Sequence, residues 1–353
     1  MGVKPKLFHH DKPVSGIDIS QTGVKVMAID VKRWAVEAYG SLDLDPAKLQ
    51  ESINTGNSYL TEGLEKLLTA KLSGKLPSNQ VVLSVPTSRT YTRSMTLPRD
   101  AEKNLKEAVL LEAEQYIPIA PAELNIDYQV IERGAKELTV LMSAVPKKIV
   151  ASITNAAAQI GLEVVLVEPG LSAVARLITQ TEEGHLPTVI VDIGAGSTDI
   201  AVLDKAIRVT GGVPVGGNSF TLDIARKLKV SLENAHQLKV LNGLSSGVKQ
   251  AKILAALKPD LDQIAAEVQK MVRYYIERLG AKRKVEQVII VGGGGNVPGL
   301  GDYFTDTLIM PARVASPWQV LNFGRLPQPS RQFKPRYITA AGLACVQQKE
   351  IWQ

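Results

Sequence analysis

Val191-Asp192-Ile193-Gly194-Ala195-Gly196-Ser197-Thr198-Asp199-Ile200-Ala201 reads as an apolar strand ending in Asp192, a turn of small polar residues, and a second apolar strand. The turn points several backbone N–H groups into one small volume, and its glycines let a phosphate approach them. A carboxylate at the end of the first strand suits a magnesium ion held through its water shell. The same pattern stands earlier in Gly16-Ile17-Asp18-Ile19-Ser20-Gln21-Thr22-Gly23-Val24-Lys25-Val26. With Asp18 laid on Asp192, Ile19 meets Ile193, Val26 meets Ile200 and Asp30 meets Asp204. Either hairpin alone is a common structural feature. Two of them, one in each half of the chain, predict duplicated halves that grip a nucleotide polyphosphate from opposite sides.

The bulk properties leave room for this. A chain of 353 residues suits roughly two domains, and 45 % hydrophobic with 22 % charged residues is globular composition and not disorder. No apolar run approaches the roughly 18–20 residues of a membrane span. The stretch Met1–His10 is basic without a following apolar block, which argues against a secretory signal, and Lys6 argues against myristoylation. A single cysteine, Cys345, excludes an internal disulfide and a cysteine metal cluster. A reduced, cytoplasmic protein is expected. The formal charge is +6, yet the tightest basic groups, Lys282-Arg283-Lys284 and Lys147-Lys148, have no interleaved aromatics. They read as solvated surface, or as mildly attracted to an anionic membrane, and not as a nucleic-acid site.

Along the chain, strands are expected at Val14–Ser20, Val24–Val31 and Ala35–Gly40, a helix at Tyr59–Leu72 and a buried strand at Gln80–Pro86. An inserted unit follows. It comprises a strand at Ser88–Leu97, a helix capped by Asp100 and running to Tyr116, strands at Leu124–Ile131 and Glu137–Val145, and a helix at Pro146–Ile160. The strand Leu162–Val167 returns to the first unit. After a polar break at Thr181–Pro187 and the second hairpin come a strand at Ala206–Val213 and helices at Ser219–Leu228, Ser231–Val240 and Pro259–Leu279, the last ending at Gly280. The strand Gln287–Val291 runs into Gly292-Gly293-Gly294-Gly295, Leu326–Arg336 reads as a Pro-rich linker, and Tyr337–Val346 as a final small-residue helix.

Three further stretches fall where a clamp needs them. In Val165-Leu166-Val167-Glu168-Pro169-Gly170-Leu171, Glu168 either places a carboxylate beside an attacking water or merely favours the helix start by its charge. Gly292–Gly295 after an apolar strand lets a flat base and ribose lie against backbone. Gly216-Gly217 before a helix is compatible with a ligand turn or with a tight turn alone.

The order Asp18 hairpin, Glu168-Pro169 helix, Asp192 hairpin, Gly292–Gly295 turn and Gly342 helix resembles the five-motif pattern of the actin-like ATPase and sugar-kinase superfamily across nearly the whole chain. The insertion narrows this. Glu112-Ala113-Glu114-Gln115-Tyr116-Ile117-Pro118-Ile119 with Leu124-Asn125-Ile126-Asp127-Tyr128 resembles the PilM family of type IV pilus assembly proteins, kin of the division protein FtsA. Gly217-Asn218-Ser219-Phe220-Thr221 and Ser316-Pro317-Trp318 are similar to that family too.

The resemblance implies an α/β actin-like ATPase fold of duplicated ribonuclease-H-like halves with a small α/β insertion. Residues 1–86, 162–186 and 337–353 would form the first domain, 87–161 the insertion and 187–336 the second domain. It implies ATP and Mg2+, with Asp18 and Asp192 holding the metal through water. Ser20, Gln21, Thr22, Gly23, Gly194, Gly196, Ser197 and Thr198 would lie along the phosphates with Lys25 neutralising them. Gly293, Gly294, Gly216, Gly217 and Lys239 would meet the nucleoside, and Glu168 would position a hydrolytic water. Ser20 stands where the family has Gly, and His236 where relatives carry Glu, so hydrolysis is expected to be weak or absent. The implied partner is the cytoplasmic tail of the membrane protein PilN, docked through 87–161, together with other pilus platform proteins and self-association at the inner face of the cytoplasmic membrane. Alternatives are a nucleotide-independent scaffold of the same family, an FtsA-like divisome anchor, for which Gln347–Gln353 is too short a membrane helix, and a small-molecule kinase.

Overall fold

The computed structural model describes residues 12–351 except 183, 185, 246, 248 and 279–283. The basic stretch at the amino end, most of Lys282-Arg283-Lys284, the expected helix end at Leu279–Gly280, part of the Thr181–Pro187 break and the last two residues of Gln347–Gln353 lie outside the described residues. The strands are β1 (Ser15–Ser20), β2 (Gly23–Asp30), β3 (Ala35–Asp43), β4 (Leu72–Gly74), β5 (Gln80–Val85), β6 (Tyr91–Pro98), β7 (Leu124–Arg133), β8 (Glu137–Pro146), β9 (Glu163–Pro169), β10 (Thr188–Ile193), β11 (Thr198–Asp204), β12 (Ala206–Val213), β13 (Gln287–Val291) and β14 (Ala312–Val314). They form three sheets, ordered β4-β3-β2-β1-β5-β9, β12-β11-β10-β13-β14 and β6-β8-β7.

The first two sheets repeat one plan. In each, an antiparallel hairpin (β1–β2, β10–β11) is extended on one side by an antiparallel strand and flanked on the other by a parallel one. The parallel strands β5 and β10 are almost wholly buried, which is why Val81-Val82-Leu83 and Val189-Ile190-Val191 are continuous apolar runs.

Helices α1 (Pro46–Thr55), α2 (Tyr59–Ala70), α3 (Leu105–Tyr116), α4 (Lys147–Gln159) and α5 (Gly170–Thr181) belong to the first part of the chain. The rest comprises α6 (Gly217–Leu228), α7 (Leu232–Leu241), α8 (Gln250–Arg278), α9 (Leu300–Leu308), α10 (Ile338–Ala344) and α11 (Gln348–Ile351). Leu49, Leu60, Leu64 and Leu67 of α1 and α2 pack on Ile17, Ile19, Val24 and Val26. The opposite face of the first sheet, with Met27 and Ile29, meets α5 and α10, which also pack on Ile190, Ala201, Ile289 and Val291 of the second sheet. The two connecting helices therefore lie between the halves. Their close packing depends on missing side chains: a Cβ on Gly342 of α10 would stand 2.0 Å from the Ala173 carbonyl oxygen of α5, and one on Gly16 of β1 2.2 Å from the Ala340 carbonyl oxygen of α10.

β6, α3, β7 and β8 enclose a separate small core of Met95, Leu97, Val109, Ala113, Leu138, Val140 and Met142. Helix α4, assigned by sequence to the insertion, instead buries Ile149, Ile153 and Ala157 in the first half's core. The insertion also touches the second half. The Thr210 hydroxyl donates to the Thr92 carbonyl at 3.1 Å, and Arg208 reaches Glu132 at 3.4 Å.

Several expected elements move. The helix read over Tyr59–Leu72 stops at Ala70 because Leu72–Gly74 pairs with β3. Asp100 does not cap α3; a 3-10 turn over Arg99–Asn104 precedes it. Helix α8 starts at Gln250 and runs through Pro259, where burial of Ile253, Ala256 and Leu257 offsets the lost backbone bond. α1, α9 and β14 were not anticipated. Their apolar residues are too few for a clear period. The Pro-rich 326–336 segment is tied down, with the Tyr39 hydroxyl on the Pro327 carbonyl and Arg336 on Asp43.

Candidate functional site

The two hairpin turns face each other across a cavity of about 570 Å³. Asp18, Ser20, Gln21, Thr22 and Lys25 line one side, and Asp192, Gly194, Gly196, Ser197 and Asp199 the other. Gly293, Gly294, Gly217 and Lys239 form the far wall. The Gln21 amide nitrogen donates to the Ser197 hydroxyl across the gap at 3.2 Å, and it fits because Gly196 has no side chain.

Sequence placed the hairpins in one register, and the structure shows that their charges differ. On β1–β2, Asp18 pairs directly with Lys25. The Lys25 ammonium donates to the Asp18 carboxylate at 2.9 Å and to the Ser20 hydroxyl at 2.7 Å. The Ser84 hydroxyl donates to the other Asp18 oxygen at 2.8 Å while accepting from the Ile19 amide. That carboxylate is neutralised and satisfied. On β10–β11 the same positions are Asp192 and Asp199, two like charges directly opposite each other, an unfavourable cross-strand pair. Burial and the charges of Asp199 and Asp18 push the Asp192 carboxyl up to about 7, against the lowering pull of Lys25. Asp199 is pushed up to about 6 by burial, with the Thr87 hydroxyl holding it back and Asp18 adding to the rise.

This asymmetry tests the fit of a magnesium ion. Two half-buried carboxylates that form no ion pair with a cationic side chain among the described residues suit a hydrated divalent cation. The carboxylates that would suit such an ion are Asp192 and Asp199. Asp18, expected to share the ion, is committed to Lys25 and Ser84.

The glycines position the turns. The Gly194 amide closes its turn on the Ser197 carbonyl at 2.9 Å, and the Gly217 and Asn218 amides at the start of α6 donate to the Gly194 and Ala195 carbonyls. A Cβ on Gly216 would stand 2.8 Å from those two oxygens, so Gly216 lets α6 press onto the hairpin and does not itself line the cavity. Gly23 is likewise behind the site. Its φ of +151° and the Leu42 carbonyl 2.2 Å from a would-be Cβ fix it as a close approach between β2 and β3. Thr198, read as a phosphate contact, is fully buried and donates to the Val215 carbonyl at 2.7 Å.

Glu168 is the largest departure from the sequence reading. It does not line the cavity. Both its oxygens accept from the Arg176 guanidinium, at 2.6 and 2.7 Å, and Arg176 also donates to the Gly342 carbonyl and to Glu350. This pair ties α5 to β9, α10 and α11, and it holds both Glu168 oxygens outside the residues that line the cavity.

Lys239 is 6 % exposed and donates to the Gly217 carbonyl at 2.6 Å and the Thr221 hydroxyl at 2.8 Å. Burial pushes it down to about 8. His236 lies one turn earlier on α7 and faces the same cavity, its pKa lowered by burial and then by the Lys239 charge. Asp199, Ser84, Thr87 and Asn218 were missed as site residues. Asp199 was legible, because the hairpin alignment that matches Asp18 to Asp192 also matches Lys25 to Asp199.

The type IV pilus assembly protein PilM family model matches residues 16–348. Among curated proteins, the cell division protein FtsA of Rhizobium meliloti is 23 % identical over 94 % of this chain and 74 % of its own. That of Borreliella burgdorferi is 25 % identical over 46 % of this chain and 43 % of its own, so the match spans under half of that relative. A PilM-PilN type IV pilus biogenesis complex holds a chain that superposes with a TM-score of 0.77 at 24 % identity, covering 94 % of this chain and 97 % of that one. MreB5 of Spiroplasma citri bound to ADP superposes at 0.52 with 14 % identity, covering 94 % and 95 %. These likenesses and the paired sheets give the chain an actin-like ATPase fold. Among the described residues, no helix is long and apolar enough to cross a membrane.

Proposed function

The chain belongs to the type IV pilus assembly protein PilM family, and from that premise we propose that it binds Mg·ATP between its halves and docks the cytoplasmic tail of a PilN-type membrane protein on its insertion. One observation carries the nucleotide half: the like-charged Asp192–Asp199 pair facing a cavity floored by Gly194, Gly196 and Ser197. Asp192 and Asp199 would hold the magnesium through water, and the metal would supply charge neutralisation at the phosphates. Lys25, Ser20, Gln21, Thr22 and Ser197 would lie along the polyphosphate, with Gly293 and Gly294 against the base. Hydrolysis is weak or absent, because Glu168 is held by Arg176 and stands away from the cleft.

The insertion supports the docking half. Its own core leaves Leu111 and Tyr116 of α3 exposed, at 61 % and 48 %, and Tyr91 of β6 exposed as well. The Arg93 guanidinium stacks over the Tyr116 ring at 3.4 Å. Such apolar anchors suit a short extended segment. We take the insertion to end with β8, a reading supported by the packing of α4 in the first half's core. Held through such a tail, the protein would sit at the inner face of the cytoplasmic membrane with other platform proteins and further copies of itself.

The test is calorimetry with a synthetic peptide of the tail. Wild type is expected to bind, and Leu111→Asp to bind at least about tenfold more weakly, the loss of one buried apolar anchor. Equal binding by both proteins would remove α3 from the interface. No binding by wild type would remove the partner assignment.

A further inference from the structure

The far wall of the cavity is basic, lined by Lys239 and His236. Lys239 is a lysine more than nine-tenths buried whose described partners are a carbonyl and a hydroxyl, both neutral. No carboxylate forms an ion pair with it among the described residues. A buried ammonium without a counter-charge is costly, and its usual remedy is an anion. The next basic group, His236, sits three positions earlier and therefore on the same face of α7. Burial, and then the Lys239 charge, disfavours a second proton there. The acidic residues of the cavity, Asp18, Asp43, Asp192 and Asp199, belong to the hairpins and to β3; Asp43 is engaged by Arg336. The cavity is thus divided, with a cation-seeking floor and an anion-seeking wall.

Gly217 lies between the two, a Cβ on it standing 3.2 Å from Gly294 Cα and 3.6 Å from the Lys239 ammonium, so a ligand with its polyphosphate at the hairpins and its base against Gly293–Gly294 would have its sugar beside α7. We propose that this wall is a subsite for a phosphate on the ribose, so that the cleft prefers nucleotides carrying a 2′- or 3′-phosphate in addition to the 5′-phosphates. This rests on the nucleotide reading of the cleft and names the substrate class. Lys239 donates its remaining N–H to the extra phosphate, and His236, exposed at the rim, adds a second donor that the anion itself helps to protonate.

Calorimetry at fixed pH and ionic strength separates the outcomes. The probes are adenosine 5′-phosphate, adenosine 2′,5′-bisphosphate, adenosine 3′,5′-bisphosphate and Mg·ADP. One bisphosphate is expected to bind wild type at least about tenfold more tightly than the monophosphate, and the stronger of the two arms identifies the ribose position. His236→Glu, an exposed change that leaves the fold intact, is expected to abolish or invert that ratio. His236→Gln is expected to give an intermediate ratio. If Mg·ADP binds but neither bisphosphate exceeds the monophosphate, the subsite is refuted and the nucleotide reading stands. A wild-type preference unaltered in His236→Glu also refutes it. If no probe binds, the nucleotide reading itself falls.

Discussion

Arg176→Ala is expected to lower the stability of the folded chain by about 3–5 kcal/mol, the cost of leaving one member of a buried ion pair without its partner. Arg176 and Glu168 have side chains only 14 % and 10 % exposed, and the pair is bidentate. Burial raises the Glu168 pKa, and Arg176 pulls it back. Without the guanidinium, Glu168 must ionise in an apolar setting or take up a proton on folding. The Gly342 carbonyl and Glu350 lose a donor at the same time. The midpoint of urea unfolding reads the effect, and a second variant identifies its cause. Glu168→Gln/Arg176→Met removes both charges and is expected to recover most of the loss, since an apolar replacement of a whole buried pair is often neutral. An Arg176→Ala protein as stable as wild type would show that the pair does not hold the connecting helices.

The second large effect is a pH dependence. Asp192 titrates near 7 in the folded chain against 3.8 for the free group. A carboxyl whose folded pKa is raised contributes stability at low pH, because the folded state binds the proton more tightly. That contribution falls away as pH rises from about 4 and is gone above about 7. Wild type without ligand is therefore expected to lose about 2–4 kcal/mol over that window on account of this residue. Asp192→Asn keeps the shape and cannot ionise, so it is expected to be the more stable protein at pH 8 and to lose its advantage at pH 4. Thermal unfolding at the two pH values reads the difference. Identical pH profiles for both proteins would mean that Asp192 carries no strained charge and that the second hairpin has no need of a cation.

What sequence made legible here was whatever repeats or alternates. The two hairpins, the buried runs of β5 and β10 and the glycine turn after β13 all carry a local signature, and the structure has each of them. Helix α4 has just as clear an apolar face, but periodicity says only that Ile149, Ile153 and Ala157 are buried, not against which sheet. The same gap explains Glu168. A carboxylate before a helix reads as available until the partner is known, and Arg176 is brought to it by the β9–α5 turn. Thr198 and Gly23 stand within the right motifs yet serve the backbone behind the site, because alternate residues of a strand point to opposite faces. The inequality of the hairpins, Asp18 with Lys25 and Asp192 with Asp199, was written in the aligned stretches and needed only the cross-strand register to be read.

The central claim is that the cleft between the halves takes a magnesium-bound nucleotide. The direct measurement is calorimetric titration of ATP into the wild-type protein with magnesium, with magnesium removed by chelator, and with the tail peptide present. Saturable binding with magnesium, weakened at least about tenfold by its removal, is the predicted result. Undetectable ATP binding in every arm, with peptide binding intact, would contradict it and leave a nucleotide-independent scaffold.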